Sequence, residues 1–136
     1  MNDDIMNTES TNQYMLLFRG PDWDHGLPPE ELQNTMDRVM TWFEGVQQTG
    51  KVKGGQPLGR EGRIVSRRAV ADGPFAESKE AVGGYLLLEV DNLDEAVAIA
   101  RTCPTLEYNI TIEVRPVLND CPCFKRAREK LSVVTA

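Results

Sequence analysis

The chain is poor in the residues from which most catalytic and metal sites are built. It holds one histidine and three cysteines in 136 residues. A lone histidine is a weak start for a metal site, since structural zinc takes four Cys or His ligands. An odd number of thiols does not describe the disulfide framework of a small secreted domain. Basic charge is also in deficit, with 15 Lys and Arg against 21 Asp and Glu and a net charge of −6. General nucleic-acid binding needs a basic footprint, so no direct nucleic-acid contact is expected. No apolar run approaches the ~18 residues of a membrane span. The polar start, Met1–Asn12, lacks the basic and apolar regions of a secretory signal, and a cytoplasmic protein is expected. Gly54-Gly55 and Gly83-Gly84 lack the spacing and the following helix of a phosphate-binding loop. No Ser-His-Asp or Cys-His pattern stands out. Neither cofactor nor metal is expected.

The remaining composition is that of one globular domain, 40% apolar and 26% charged. Residues 1–12 read as a flexible leader, 13–118 as the domain and 119–136 as an appendage. Gln13–Arg19 reads as a central strand, because Tyr14-Met15-Leu16-Leu17-Phe18 is apolar on both faces. Pro28-Pro29-Glu30-Glu31 opens a helix that runs to about Thr49, with Leu32, Met36, Val39, Met40, Phe43 and Val46 in one stripe and Trp42 at its edge. Gly50 caps it. A hairpin of Lys51–Gln56 with Gly62–Val70 is expected next. Tyr85–Val90 is a second doubly apolar strand. Asn92 and Glu95 have capping-box spacing for a second helix, with Leu93, Ala96, Val97 and Ala100 facing the core. In Asn109–Val117, Ile110, Ile112 and Val114 alternate with polar residues, as in an edge strand with one face buried. The order is that of an α+β, ferredoxin-like βαββαβ antiparallel sheet with two helices on one face. Its uncovered face would carry either Tyr14, Leu16 and Phe18 or Met15 and Leu17, too apolar for water. Two chains packed sheet to sheet, a homodimer, would cover it.

Three places carry candidate chemistry. In Asp72-Gly73-Pro74-Phe75-Ala76-Glu77, Gly73 can take positive φ, Pro74 fixes its own, and Phe75 can plug the core. The stretch reads as a structural turn or as a site in which Asp72 and Glu77 act as acid/base groups on a small polar molecule. Two carboxylates held close raise one pKa, which suits proton transfer. His25, in Asp22-Trp23-Asp24-His25-Gly26, is the third candidate catalytic residue or else an exposed loop histidine. Gly73, Pro74, Phe75, Arg19 and Trp42 are candidate ligand contacts. Cys121-Pro122-Cys123 reads as a reduced surface pair, a soft-metal pair or a redox sensor near Lys125 and Arg126. Cys123–Leu131 has the makings of a short helix.

Asp72–Glu80 with Gly83-Gly84-Tyr85, then Val90–Ala96, then Ile112-Glu113-Val114-Arg115-Pro116-Val117, resemble the DGPF-domain branch of the YCII-related family. Tyr14-Met15-Leu16-Leu17 and Leu27-Pro28-Pro29-Glu30-Glu31 resemble its start, and Gly54-Gly55 with Leu58 its middle hairpin. The resemblance implies a ferredoxin-like fold dimerised as an α/β barrel, and a possible link to sigma factors. It leaves two readings: an enzyme-like protein with a small ligand, or a non-catalytic ligand-binding or regulatory module associated with transcription. The founding branch places a His–Asp pair with its histidine on the first helix. This chain has no histidine between Glu30 and Thr49, so that role passes to none of its residues.

Overall fold

The computed structural model describes residues 10–73 and 80–135. Four strands form one antiparallel sheet, β1 (Ser10–Arg19), β2 (Val52–Pro57), β5 (Val82–Glu89) and β6 (Thr111–Leu118), in the order β2-β5-β1-β6. This is the ferredoxin-like order, and the two doubly apolar strands lie at its centre. β6 is an edge, which is why it tolerates Pro116. Two helices, α1 (Pro29–Gln48) and α2 (Leu93–Ala100), link the strands. Pro29 opens α1 with Glu30 and Glu31 in its first turn, and Gly50 lies past its end at φ 77°. Asn92 Oδ1 accepts from the Glu95 N–H at 2.8 Å, the side-chain cap that the spacing predicts, while Glu95 Oε1 reaches one residue further back than in a capping box and accepts from the Asp91 N–H at 3.0 Å.

Tyr14, Leu16, Leu86 and Leu88 point to the helix side and form the core with Val46, Val90, Ala96 and Ala100. Leu16 and Leu88 are fully buried at 0% exposure. Met15 pairs with Leu87, and Leu17 with Tyr85. These residues share the opposite face and are only half-buried. The open face therefore carries the Met15–Leu17 set, not the Tyr14–Phe18 set.

Several expectations change. β2 pairs with β5. The run Gly62–Val70 is not its hairpin partner but folds on itself, with β3 (Arg63–Val65) against β4 (Val70–Asp72). The Ser66 N–H, donating to the Ala69 carbonyl at 2.9 Å, closes that turn. The α1 stripe is less buried than its spacing implies. Val46 is buried, Leu32, Val39 and Phe43 are half-buried, and Met36 and Met40 are 37% and 50% exposed. Leu93 is 45% exposed as well. A 3-10 helix, Pro104–Tyr108, follows α2. It is tied to α1 by Tyr108 and Thr35, whose hydroxyls are 2.8 Å apart, and by the Arg38–Glu107 ion pair. Beyond β6, α3 spans Pro122–Thr135, longer than the expected helix. Asp120 holds it through Arg128 at 2.7 Å. Phe124 and Leu131 on it are 60% and 63% exposed.

Candidate functional site

The incomplete burial of the α1 stripe has a structural cause. Between α1 and the sheet lies an open cavity of about 320 Å³. α1 contributes Val39, Met40, Trp42 and Phe43 to its wall. Phe18 and the Gly83–Leu86 stretch supply the sheet side, and Gly55–Pro57 of β2 border one end. Trp23, in the loop between β1 and α1, borders it too and stacks on Tyr108 with ring centroids 5.2 Å apart. Cys103 and Thr105 complete the border. Both are buried, with the thiol and hydroxyl 3.1 Å apart.

Local backbone choices shape this wall. Gly55 has φ 158°, and a Cβ there would lie 2.7 Å from the Tyr85 carbonyl oxygen. β2 can thus approach β5 closely only with glycine at this position. Trp42 keeps its ring in place by donating from Nε1 to Thr102 Oγ1 at 2.7 Å. Among the described residues that line the cavity none is charged, and Gln56 and Thr105 are polar side chains at its border.

The residues singled out in the sequence are distributed unevenly around this cavity. Trp42 lines it. Arg19 is bound elsewhere: its Nε donates to Glu113 Oε1 at 2.8 Å and its Nη1 to the Glu80 carbonyl at 2.6 Å. Arg115 Nη1 lies 3.6 Å from the second oxygen of Glu113, so the polar end of the sheet is a charge network. His25 has a 75% exposed side chain, with Nε2 3.7 Å from Asp22 Oδ2. Asp22 itself is paired with Arg60. Asp72 ends β4 with its side chain 81% exposed and 3.3 Å from Arg63 Nη1. It does not appear in the described cavity wall. Gly73 does not take positive φ. Its need is close packing, because a Cβ there would lie 2.6 Å from Ile64 Cδ1. Pro74, Phe75 and Glu77 lie outside the described residues. Glu61 and Glu80 border a second hollow beside Ile64 and Ala81.

Sequence reasoning missed Trp23, Phe18 and Thr105 as cavity residues. The one available signal was Trp23, a large apolar ring in an otherwise polar loop. Among the described residues no group of three or more His, Cys, Asp or Glu side chains is placed to hold a metal ion. No described helix is long and apolar enough to cross a membrane.

The YCII-related domain model matches residues 11–119 of the chain. No curated protein matches the sequence significantly. Among solved structures, a similar one is the 5-chloro-2-hydroxyhydroquinone dehydrochlorinase of Burkholderia phenoliruptrix AC1100, in complex with 2,5-dihydroxybenzoquinone. It is 18% identical, with a TM-score of 0.41 over 75% of this chain and 90% of that one.

Proposed function

The chain belongs to the YCII-related family, and on that footing we propose that it binds a small, neutral, ring-bearing molecule in the cavity between α1 and the sheet. The observation that carries this is the wall itself: Phe18, Trp23, Trp42 and Phe43 border one space with no charged side chain among the described lining residues. Its volume lies at the lower end of the ~300–1,000 Å³ typical of ligand pockets. A charged ligand would lose its hydration there without a partner, which is costly. An aromatic face instead meets rings of matching shape, with Thr105 and Gln56 available to a single polar handle. This moves the expected ligand from a polar molecule to a mainly apolar one. Binding alone suffices for a regulatory module. Acid/base chemistry would enter through Asp72 and Glu77, and it is the less supported part of the reading, since Asp72 is exposed and paired with Arg63.

Homodimerisation completes the proposal. Met15, Leu17, Tyr85 and Leu87 are half-buried on the face of the sheet opposite the core. The charges of Arg19, Glu113 and Arg115 lie at one side of this apolar strip. A second sheet packed on it would bury on the order of 1,200 Å² or more in total. Light scattering should give a dimer, and Leu17→Glu should give a monomer that keeps its helical signal. A monodisperse wild-type monomer at micromolar concentration would overturn the dimer.

Ligand binding is tested by fluorescence, because both of the chain's tryptophans border the cavity. Para-nitrophenol, a quenching ring compound, used at mildly acid pH so that its hydroxyl stays protonated and the molecule neutral, should quench their emission saturably. Cyclohexanol should compete weakly. Val39→Phe, which fills the cavity from α1, should abolish the saturable part while the protein stays folded. Quenching that is linear in probe and identical in Val39→Phe would refute the site.

A further inference from the structure

A second constellation lies outside the cavity and beyond residue 119, where the family match ends. Cys121 and Cys123 are both exposed free thiols, and their Sγ atoms are 2.7 Å apart. Pro122 between them is the first residue of α3, and its ring fixes the backbone that brings the thiols together. The Cys121 carbonyl accepts from the N–H groups of Phe124 at 2.9 Å and Lys125 at 3.3 Å. Cys121 therefore occupies the capping position of α3, a 14-residue helix. The third cysteine, Cys103, is buried against Thr105.

We propose that Cys121 and Cys123 form a reversible dithiol site that exchanges with low-molecular-weight disulfides, Cys121 attacking and Cys123 resolving. Geometry supports the pairing: the sulfurs already touch, whereas a disulfide needs them at ~2.05 Å. The surroundings distinguish the two thiols. The hydrogen bond from Cys123, followed by backbone N–H groups of Cys123 and Phe124, holds the Cys121 thiol below its ordinary range, against an opposing push from Asp120. That shared hydrogen bond, with some loss of hydration, raises the Cys123 thiol, against Phe124 N–H and the Arg126 charge. A thiolate at a helix start beside a proton-holding neighbour is the arrangement that exchange needs.

The exchange proceeds in two displacements. The Cys121 thiolate attacks one sulfur of R–S–S–R, forms a mixed disulfide and expels R–S⁻, which takes up a proton from solvent. Cys123 then loses its proton and attacks the Cys121 sulfur. The Cys121–Cys123 bond forms, and the second R–S⁻ leaves and is protonated. The protein dithiol gives up two electrons, and R–S–S–R becomes two R–SH. A ring closed across one intervening residue is strained, so the product is readily reduced and the site cycles instead of stapling the chain.

The test uses the reduced full chain and oxidised glutathione at neutral pH, followed by intact-mass and peptide mapping. Wild type should lose two hydrogens, with the new bond between Cys121 and Cys123 and Cys103 still a thiol. Cys123→Ser should stop at a glutathione adduct on Cys121. Cys121→Ser should react several-fold more slowly than Cys123→Ser. A reductant should restore all forms, and circular dichroism of each variant confirms folding. A stable glutathione adduct on wild-type Cys121, preferential attack by Cys123, cross-linked chains, or no reaction would each overturn the proposal. None of these readouts depends on the cavity or its ligand.

Discussion

Phe43→Ala measures whether the space beneath α1 exists in solution. Phe43 is half-buried and borders the cavity on one side. Truncating a fully packed Phe costs roughly 3–5 kcal/mol, by lost transfer energy plus a new void. Here part of the void is already present, so the ring has fewer packing partners to lose. The expected cost is about 1.5–2.5 kcal/mol, from halving that range for a half-buried side chain. Leu88, at 0% exposure and not among the described residues that line this cavity, provides the calibration. Leu88→Ala should cost about 3–5 kcal/mol, the upper part of the range for buried leucines. Urea unfolding at one fixed protein concentration gives both values and holds any association constant. If Phe43→Ala costs as much as Leu88→Ala, α1 packs tightly on the sheet and the reasoning fails.

Three other outcomes follow from the geometry. Gly55→Ala places a Cβ 2.7 Å from the Tyr85 carbonyl at a φ that side chains rarely adopt; thermal melts should show a loss of about 1–3 kcal/mol, and an unchanged midpoint would contradict the close β2–β5 approach. The Lys51 ammonium, bonded to Glu95 along with the Asp91 N–H, holds the Glu95 carboxyl below its ordinary 4.5. A depressed carboxyl stabilises the fold above its unfolded pKa and loses that effect as pH falls through the folded one. Glu95→Gln should therefore lower the melting temperature at pH 7, and the gap to wild type should close as pH drops below about 4.5; a gap independent of pH would contradict it. Deleting residues 119–136 should leave the thermal midpoint within a few degrees, since Phe124 and Leu131 on α3 are exposed; loss of folding would show that the tail belongs to the domain.

The architecture was legible in the sequence wherever a local rule is strong. Apolar residues on both faces of Tyr14–Phe18 and Tyr85–Leu88 marked the central strands, and alternation in Ile112–Val114 marked an edge. Asn92 and Glu95 announced their cap. Periodicity was less informative about depth. It showed which side of α1 faces inward, but not how far the helix stands from the sheet, so Met36 and Met40 passed for core. Strand partners were also hidden, because a short stretch such as Gly62–Val70 can pair with β2 or fold on itself, and its residues do not decide which. The reading of Asp72 rested on turn chemistry and on its pairing with a second carboxylate, neither of which says where the side chain faces. In a three-residue strand, a shift of one position turns a side chain to the other face, and here it turns towards Arg63 and solvent. The cavity's rings come from α1, the sheet and the Trp23 loop, and no sequence spacing brings those together.

Ligand entry between α1 and the sheet is the property on which the proposed function rests. Methionine-methyl NMR with para-nitrophenol tests it within a single helix, because Met40 lines the cavity and Met36, one turn earlier, does not. Met40 should shift saturably while Met36 and Met15 stay in place, and the shift should vanish in Val39→Phe. Shifts at Met15 on the open sheet face with none at Met40, or no shift at any methionine, would contradict it.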